Sequence, residues 1–220
     1  VVVTNPHPLS PINDKMRIEQ ARQEFLSKNF RKSLEIYKSI EYKEVMNELD
    51  AAGITDPALR ASYAECKRLN SLHGKTYYLA TLLLPSAKRP FVHALYGFAR
   101  YADEIVDDLA SELSVEEKAE VLSKWGNGVL ADLKKGTSDD HVGRALIDTV
   151  KRFDIPHEHF EAFLHSMTMD LTVQEYETYE DLLEYVYGSA AVIGLEMVPI
   201  LGPLHNDAFE AAKKLGIAFQ

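Results

Sequence analysis

The chain has 220 residues, 46 % apolar and 26 % charged, which suits one large domain, or a domain plus an extension, with a sizeable core. A net charge of −10 argues against general nucleic-acid binding, because phosphate contacts need a basic surface, but leaves room for a small anionic substrate bridged to carboxylates by divalent cations. The single cysteine, Cys66, excludes an internal disulfide and points to a reducing compartment.

Residues 1–13, rich in Pro and Asn, read as loop, without the basic-then-apolar pattern of a secretory signal. A helical pattern opens at Asp14, with Ile18, Ala21, Phe25 and Leu26 on one face, and continues through Leu34, Tyr37 and Ile40. Residues 1–45 carry a net +2 and the rest −12, so a boundary is placed at Met46. Beyond it, Asp56 is an expected N-cap with Pro57 at the first helical position. Leu84-Pro85 ends a helix and Pro90 opens the next, through Phe91, Leu95, Phe98 and Ala102. Ser114 and Glu117 have capping-box spacing, Gly136 stops that helix, and Pro156 starts another through Phe160, Phe163 and Leu164. A long apolar helix over 179–201 is expected to bend near Pro199, and Asn206 or Asp207 caps a last helix. Glu196 and two prolines interrupt the most apolar run, Ala190 to Leu204, so no membrane span is expected. Nothing alternates with period two for long, and the fold class is all-α.

The chemistry concentrates in Tyr96-Gly-Phe-Ala-Arg100-Tyr-Ala-Asp103-Glu-Ile-Val-Asp107-Asp108. Residues three and four apart share a helix face, so Tyr96, Arg100, Asp103 and Asp107 form one stripe over roughly three turns. Two carboxylates at that spacing repel, and inside a bundle they need a counter-charge. Magnesium supplies one, taking one or two carboxylates and completing its shell with water and phosphate oxygens. A solvated acidic face with Arg100 paired to Asp103 is the plainer alternative; the apolar and aromatic flanks weigh against it. A second segment, Leu72-His73-Gly74-Lys75-Thr76-Tyr77, brings donors for a phosphate, although His73 and Lys75 alone would more often be surface residues. In a third, Gly188, Ala191 and Gly194 recur every three residues: either helix-on-helix packing or a smooth trough for a hydrocarbon.

Together with Tyr63-Ala-Glu-Cys66, Leu83-Leu-Pro85, Met169-Asp170-Leu-Thr-Val and Asp181-Leu-Leu-Glu-Tyr185, these segments resemble, in the same order, the phytoene/squalene synthase family of head-to-head prenyl synthases. The resemblance runs from about Leu49 to Gln220, and its wording is closest to bacterial phytoene synthases. It implies an isoprenoid-synthase-type helical bundle over 46–220, with 1–45 as an extension, partly helical or disordered. It implies that Asp103 and Asp107 bind Mg2+, with Mn2+ as the substitute, beside Tyr96 and Arg100. It further implies substrate-binding roles for His73, Lys75, Thr76, Tyr77, Asp170, Tyr187, Gly194 and Gln220. Gly74 stands where the family often has Ser. The family's second aspartate-rich motif, Asn-x-x-Arg-Asp-x-x-x-Asp, follows the position of Gln220, so the bundle is expected to be C-terminally incomplete.

The implied reaction is Mg-dependent condensation of two geranylgeranyl diphosphates to phytoene through a cyclopropylcarbinyl diphosphate. Squalene or dehydrosqualene synthesis from farnesyl diphosphate is the alternative, with NADPH needed only for squalene. A non-catalytic assembly or scaffold relative is the third reading. The expected partners are prenyl diphosphates, with a peripheral membrane contact through the amphipathic stretch from Asp14 and no nucleic acid. The expected location is cytoplasmic, with membrane association through that stretch.

Overall fold

The computed structural model describes residues 11–26, 29–107, 113–173 and 175–220, and all its regular elements are helices. Helix α1 spans Pro11–Leu26 and α2 spans Phe30–Ala51. The expected loop over 1–13 therefore gives way to helix at Pro11, a residue well suited to a first helical position; residues 1–10 lie outside the described residues, as does Asp108. The chain forms two compact units, residues 1–48 and Leu49–Gln220. Within the first, Arg17 donates to Ser39 Oγ across α1 and α2 at 2.6 Å, and Lys32 pairs with Glu24 at 2.5 Å.

The second unit holds α3 (Pro57–His73), α4 (Lys75–Thr81), α5 (Arg89–Asp107), α6 (Val115–Lys135), α7 (His141–Phe153), α8 (His157–Thr172), α9 (Tyr179–Val186), α10 (Val192–Leu201) and α11 (Asp207–Phe219). Local chemistry sets most of the boundaries. Asp56 caps α3 by accepting from Leu59 N, and Ser114 and Glu117 close a reciprocal capping box on α6. Gly136 ends α6 in the left-handed region, at φ 78°. Helix α4 stops at Thr81, short of the expected Leu84, where Arg89 takes up the Leu82 and Leu84 carbonyls at 2.7 and 2.8 Å. Helix α7 has no counterpart in the sequence reading: Asp140 caps it through Gly143 N, and Ala145, Leu146, Thr149 and Val150 bury one face.

The core is aromatic. Phe98 of α5 packs on Trp125 of α6 and on Phe160 and Phe163 of α8, with ring centroids 5.2–5.6 Å apart. Tyr63 of α3 reaches Asp148 and Thr149 of α7 at 2.8 and 2.9 Å and meets Phe91 of α5 edge-on. Helix α5 thus lies between α3 and α7 on one side and α6 and α8 on another.

The run Tyr179–Leu201 is long and apolar enough, by length and composition, to cross a membrane. In the fold it is a packed helix, lying against α8 and α11. It carries a π-helical segment at Tyr187–Ala191, and Pro199 sits inside α10. The strip of small residues serves helix packing. A Cβ on Gly188 would fall 2.1 Å from Ser166 Oγ and 2.2 Å from the Ala162 carbonyl, and one on Gly194 would fall 2.6 Å from the Ala212 carbonyl.

Two predictions follow from this packing. Gly188→Ala must push the π-helical segment and α8 apart, and thermal unfolding should show a loss of about 1–3 kcal/mol, typical of overpacking. Glu196 of α10 is 1 % exposed, neither carboxylate oxygen has a hydrogen-bond partner among the described residues, and burial pushes its pKa up to about 8. The folded state therefore keeps a proton that the unfolded chain releases above its ordinary value of 4.5. Stability is lost as pH rises through that window, each pKa unit corresponding to about 1.4 kcal/mol. The parent should lose melting temperature relative to Glu196→Gln between about pH 5 and about pH 9. A difference that does not change with pH would contradict this account.

Candidate active site on helix α5

Helix α5 has two characters. Phe91, Ala94, Leu95, Phe98 and Ala102 are buried, which orients the helix and leaves Tyr96, Arg100, Asp103 and Asp107 along another face. Tyr96, Arg100 and Asp103 are half-buried and Asp107 is exposed. The Arg100 Nε is buried and has no hydrogen-bond partner among the described residues. Burial raises the Asp103 pKa to about 6; Asp107 adds to the rise, Arg100 opposes it, and Asp170 of α8 adds again. Asp170 therefore belongs to the same acidic neighbourhood, although it lies on another helix. Burial also raises the Tyr96 phenol, which stays protonated as a donor.

Two residues without an expected role join this neighbourhood. Tyr185 of α9 donates to Asp170 Oδ1 at 3.3 Å, and its phenol is pushed up to about 12 by burial and by Asp170. Tyr176 packs its ring on Tyr185, with centroids 5.7 Å apart. Asp170 and Tyr185 stand fifteen positions apart, a separation that carries no spacing signal, so only the tertiary fold reveals this pair.

The second expected cluster follows the break between α3 and α4. His73, Lys75, Thr76 and Tyr77 are exposed, and Tyr77 lies close enough to Tyr96 to perturb it. Lys75 adopts φ 28°, an uncommon value for a residue with a side chain. Of the other expected residues, Tyr187 receives Lys213 over its ring at 5.4 Å, Gly194 abuts Ala212, and Gln220 is exposed after α11. A cleft of about 520 Å3 opens beside Tyr101 and Trp125, and none of these site residues lines it.

Among the described residues, no three His, Cys, Asp or Glu side chains cluster tightly enough to hold a metal by themselves. Asp103 and Asp107 do fit a hard cation that draws its other ligands from water and a phosphate. Their electrostatics give a test. Asp103 ionises at higher pH when folded than its ordinary 3.8, so its neutral form stabilises the fold at low pH and that contribution is lost as pH rises through about 6. Asp103→Asn should melt a few degrees above the parent near pH 7.5 and level with it near pH 4, as read by circular dichroism. A mutant less stable than the parent at the higher pH would contradict the desolvated, repelled carboxylate.

The squalene/phytoene synthase family model matches residues 71–220. The 15-cis-phytoene synthase of Synechococcus elongatus is 34 % identical over 145 residues, covering 66 % of this chain and 46 % of that protein. The chloroplastic phytoene synthase 1 of Arabidopsis thaliana is 33 % identical over 169 residues, covering 74 % and 39 %. A ligand-bound dehydrosqualene synthase structure superposes with a TM-score of 0.65 at 30 % identity, covering 74 % of this chain and 55 % of that one. A squalene synthase structure from Alicyclobacillus acidocaldarius gives 0.66 at 25 % identity, covering 76 % and 62 %. The chain thus spans less than two thirds of the length of each of these relatives. With its helical bundle, its aspartate face and the match over 71–220, the chain belongs to the squalene/phytoene synthase family.

Proposed function

We propose that this chain acts in the magnesium-dependent head-to-head condensation of two prenyl diphosphates, with geranylgeranyl diphosphate giving phytoene. The observation that carries the reading is the α5 face, where a buried Arg100 Nε without a partner among the described residues lies one turn from Asp103. An unpaired buried guanidinium N–H suits an incoming oxyanion. In this reading Arg100 and the protonated Tyr96 phenol donate to the diphosphate that leaves as the allylic C–O bond breaks. His73, Lys75, Thr76 and Tyr77 meet the second diphosphate. Asp103 and Asp107 hold the metal, and Asp170, oriented by Tyr185, adds negative charge beside them. Magnesium, when bound, neutralises the diphosphate oxygens and eases their departure. The phytoene synthase relatives support the twenty-carbon substrate. The dehydrosqualene and squalene synthase neighbours support a second reading, condensation of farnesyl diphosphate, with NADPH needed only for squalene. The reading places the chain in the cytoplasm, with a membrane surface reached through the stretch from Asp14.

The test is product formation from labelled geranylgeranyl and farnesyl diphosphates, with and without magnesium. The parent should give a forty-carbon product from the first. Asp103→Asn and Arg100→Ala should each lower turnover on the order of 100-fold, the scale of losing one charge-stabilising group. A folded parent that consumes neither substrate would overturn the proposal, and a thirty-carbon product alone would favour the second reading.

A further inference from the structure

The α5 stripe extends one turn below Tyr96, to His93, and there it meets a buried polar pair that the proposed reaction does not use. Asn70 of α3 and His93 of α5 are 1 % and 0 % exposed, and Asn70 Nδ2 lies 3.0 Å from His93 Nδ1. Burial, helped by Lys67 and Arg89, drives the His93 pKa down to about 3, so the ring is neutral and its Nδ1 accepts from the Asn70 amide. The Tyr78 ring of α4 stacks on His93, with centroids 5.8 Å apart. The other end of Asn70 faces the break between α3 and α4. Gly74 N donates to the Asn70 backbone carbonyl at 2.8 Å, and a Cβ on Gly74 would stand 2.1 Å from Asn70 Oδ1 and 3.1 Å from the Tyr96 ring. Gly74 therefore fits because nothing larger can enter between Asn70 and Tyr96.

Three elements meet at this pair: α3 through Asn70, α5 through His93 and Tyr96, and the start of α4 through Gly74 and Tyr78. A buried hydrogen bond in a water-excluded place has a defined geometry, and a chain break held against it has little freedom. We propose that Asn70 and His93 are positioning residues that lock the His73–Tyr77 segment at a fixed distance from Tyr96 and Arg100, so that two anionic groups of one reaction are held in register. Neither side chain touches substrate. The pair sets where the donors of the second cluster stand relative to the α5 stripe. This inference rests on the diphosphate-binding reading of both clusters.

The test uses the full chain, with Asn70→Leu and His93→Leu each removing the hydrogen bond, and Leu122→Ala as a destabilised core control. Amide exchange measured without ligand should rise roughly tenfold over residues 74–81 in both variants, while α7 and α8 stay protected; in the control no such local change appears. Binding of inorganic pyrophosphate with magnesium, followed by calorimetry, should weaken roughly tenfold in each variant, the scale of losing an outer partner that orients a binding group. The double variant should be no weaker than either single one, because the two act as one unit. Unchanged exchange over 74–81, or exchange raised everywhere alike, would overturn the proposal. So would additive effects, or pyrophosphate affinity unaltered by both variants yet lost in Arg100→Ala; that result would leave the diphosphate reading intact. A parent that binds no pyrophosphate while exchange over 74–81 still responds would overturn the diphosphate reading and the register role, leaving a purely structural lock.

Discussion

The packing of Phe98 governs this molecule. Its ring is 1 % exposed and is held by Trp125, Phe160 and Phe163, so α5 has one rotational setting in the bundle. Rotating the helix by one residue would expose Phe98 and drive Asp103 or Arg100 into the aromatic core, at the cost of burying an unpaired charge. Everything polar on α5 therefore takes its position from an apolar constraint. The stripe Tyr96, Arg100, Asp103 and Asp107 points away from the core because the core has claimed the opposite side.

That arrangement also explains why the site is electrostatically unfinished. Asp103 is desolvated and faces Asp107 and Asp170, while Arg100 supplies only part of the compensation. A protein chain that placed stability first would remove such a carboxylate or pair it fully. Glu196 is also desolvated, without a charged neighbour among the described residues, and its carboxyl is raised to about 8. Burial alone raises the Glu196 carboxyl, whereas Asp103 is raised by burial and by two neighbouring carboxylates and held back by Arg100.

Much of the architecture is legible in the amino-acid pattern. The caps at Asp56 and Ser114, the stop at Gly136 and the apolar spacing of α5 are local effects, decided by a few neighbouring residues, and the structure contains them where the pattern places them. The face shared by Tyr96, Arg100, Asp103 and Asp107 is also local, since helical periodicity alone brings it about. Helix α7 escaped the reading because its apolar positions lie in a short segment between a Gly stop and a Pro start. The small-residue strip was ambiguous for a physical reason: a hydrocarbon and a helix backbone make the same demand for a missing Cβ.

What the sequence by itself determined is the helical class, most helix ends and the composition of the acidic stripe, because each depends on contacts within about one or two turns. What only the tertiary structure decided is which distant groups join that stripe. Asp170 and Tyr185 reach it from α8 and α9, Asn70 meets His93 across α3 and α5, and Gly194 is occupied by α11. Such meetings depend on how whole helices cross, and the crossing is set by the aromatic core rather than by the residues that meet.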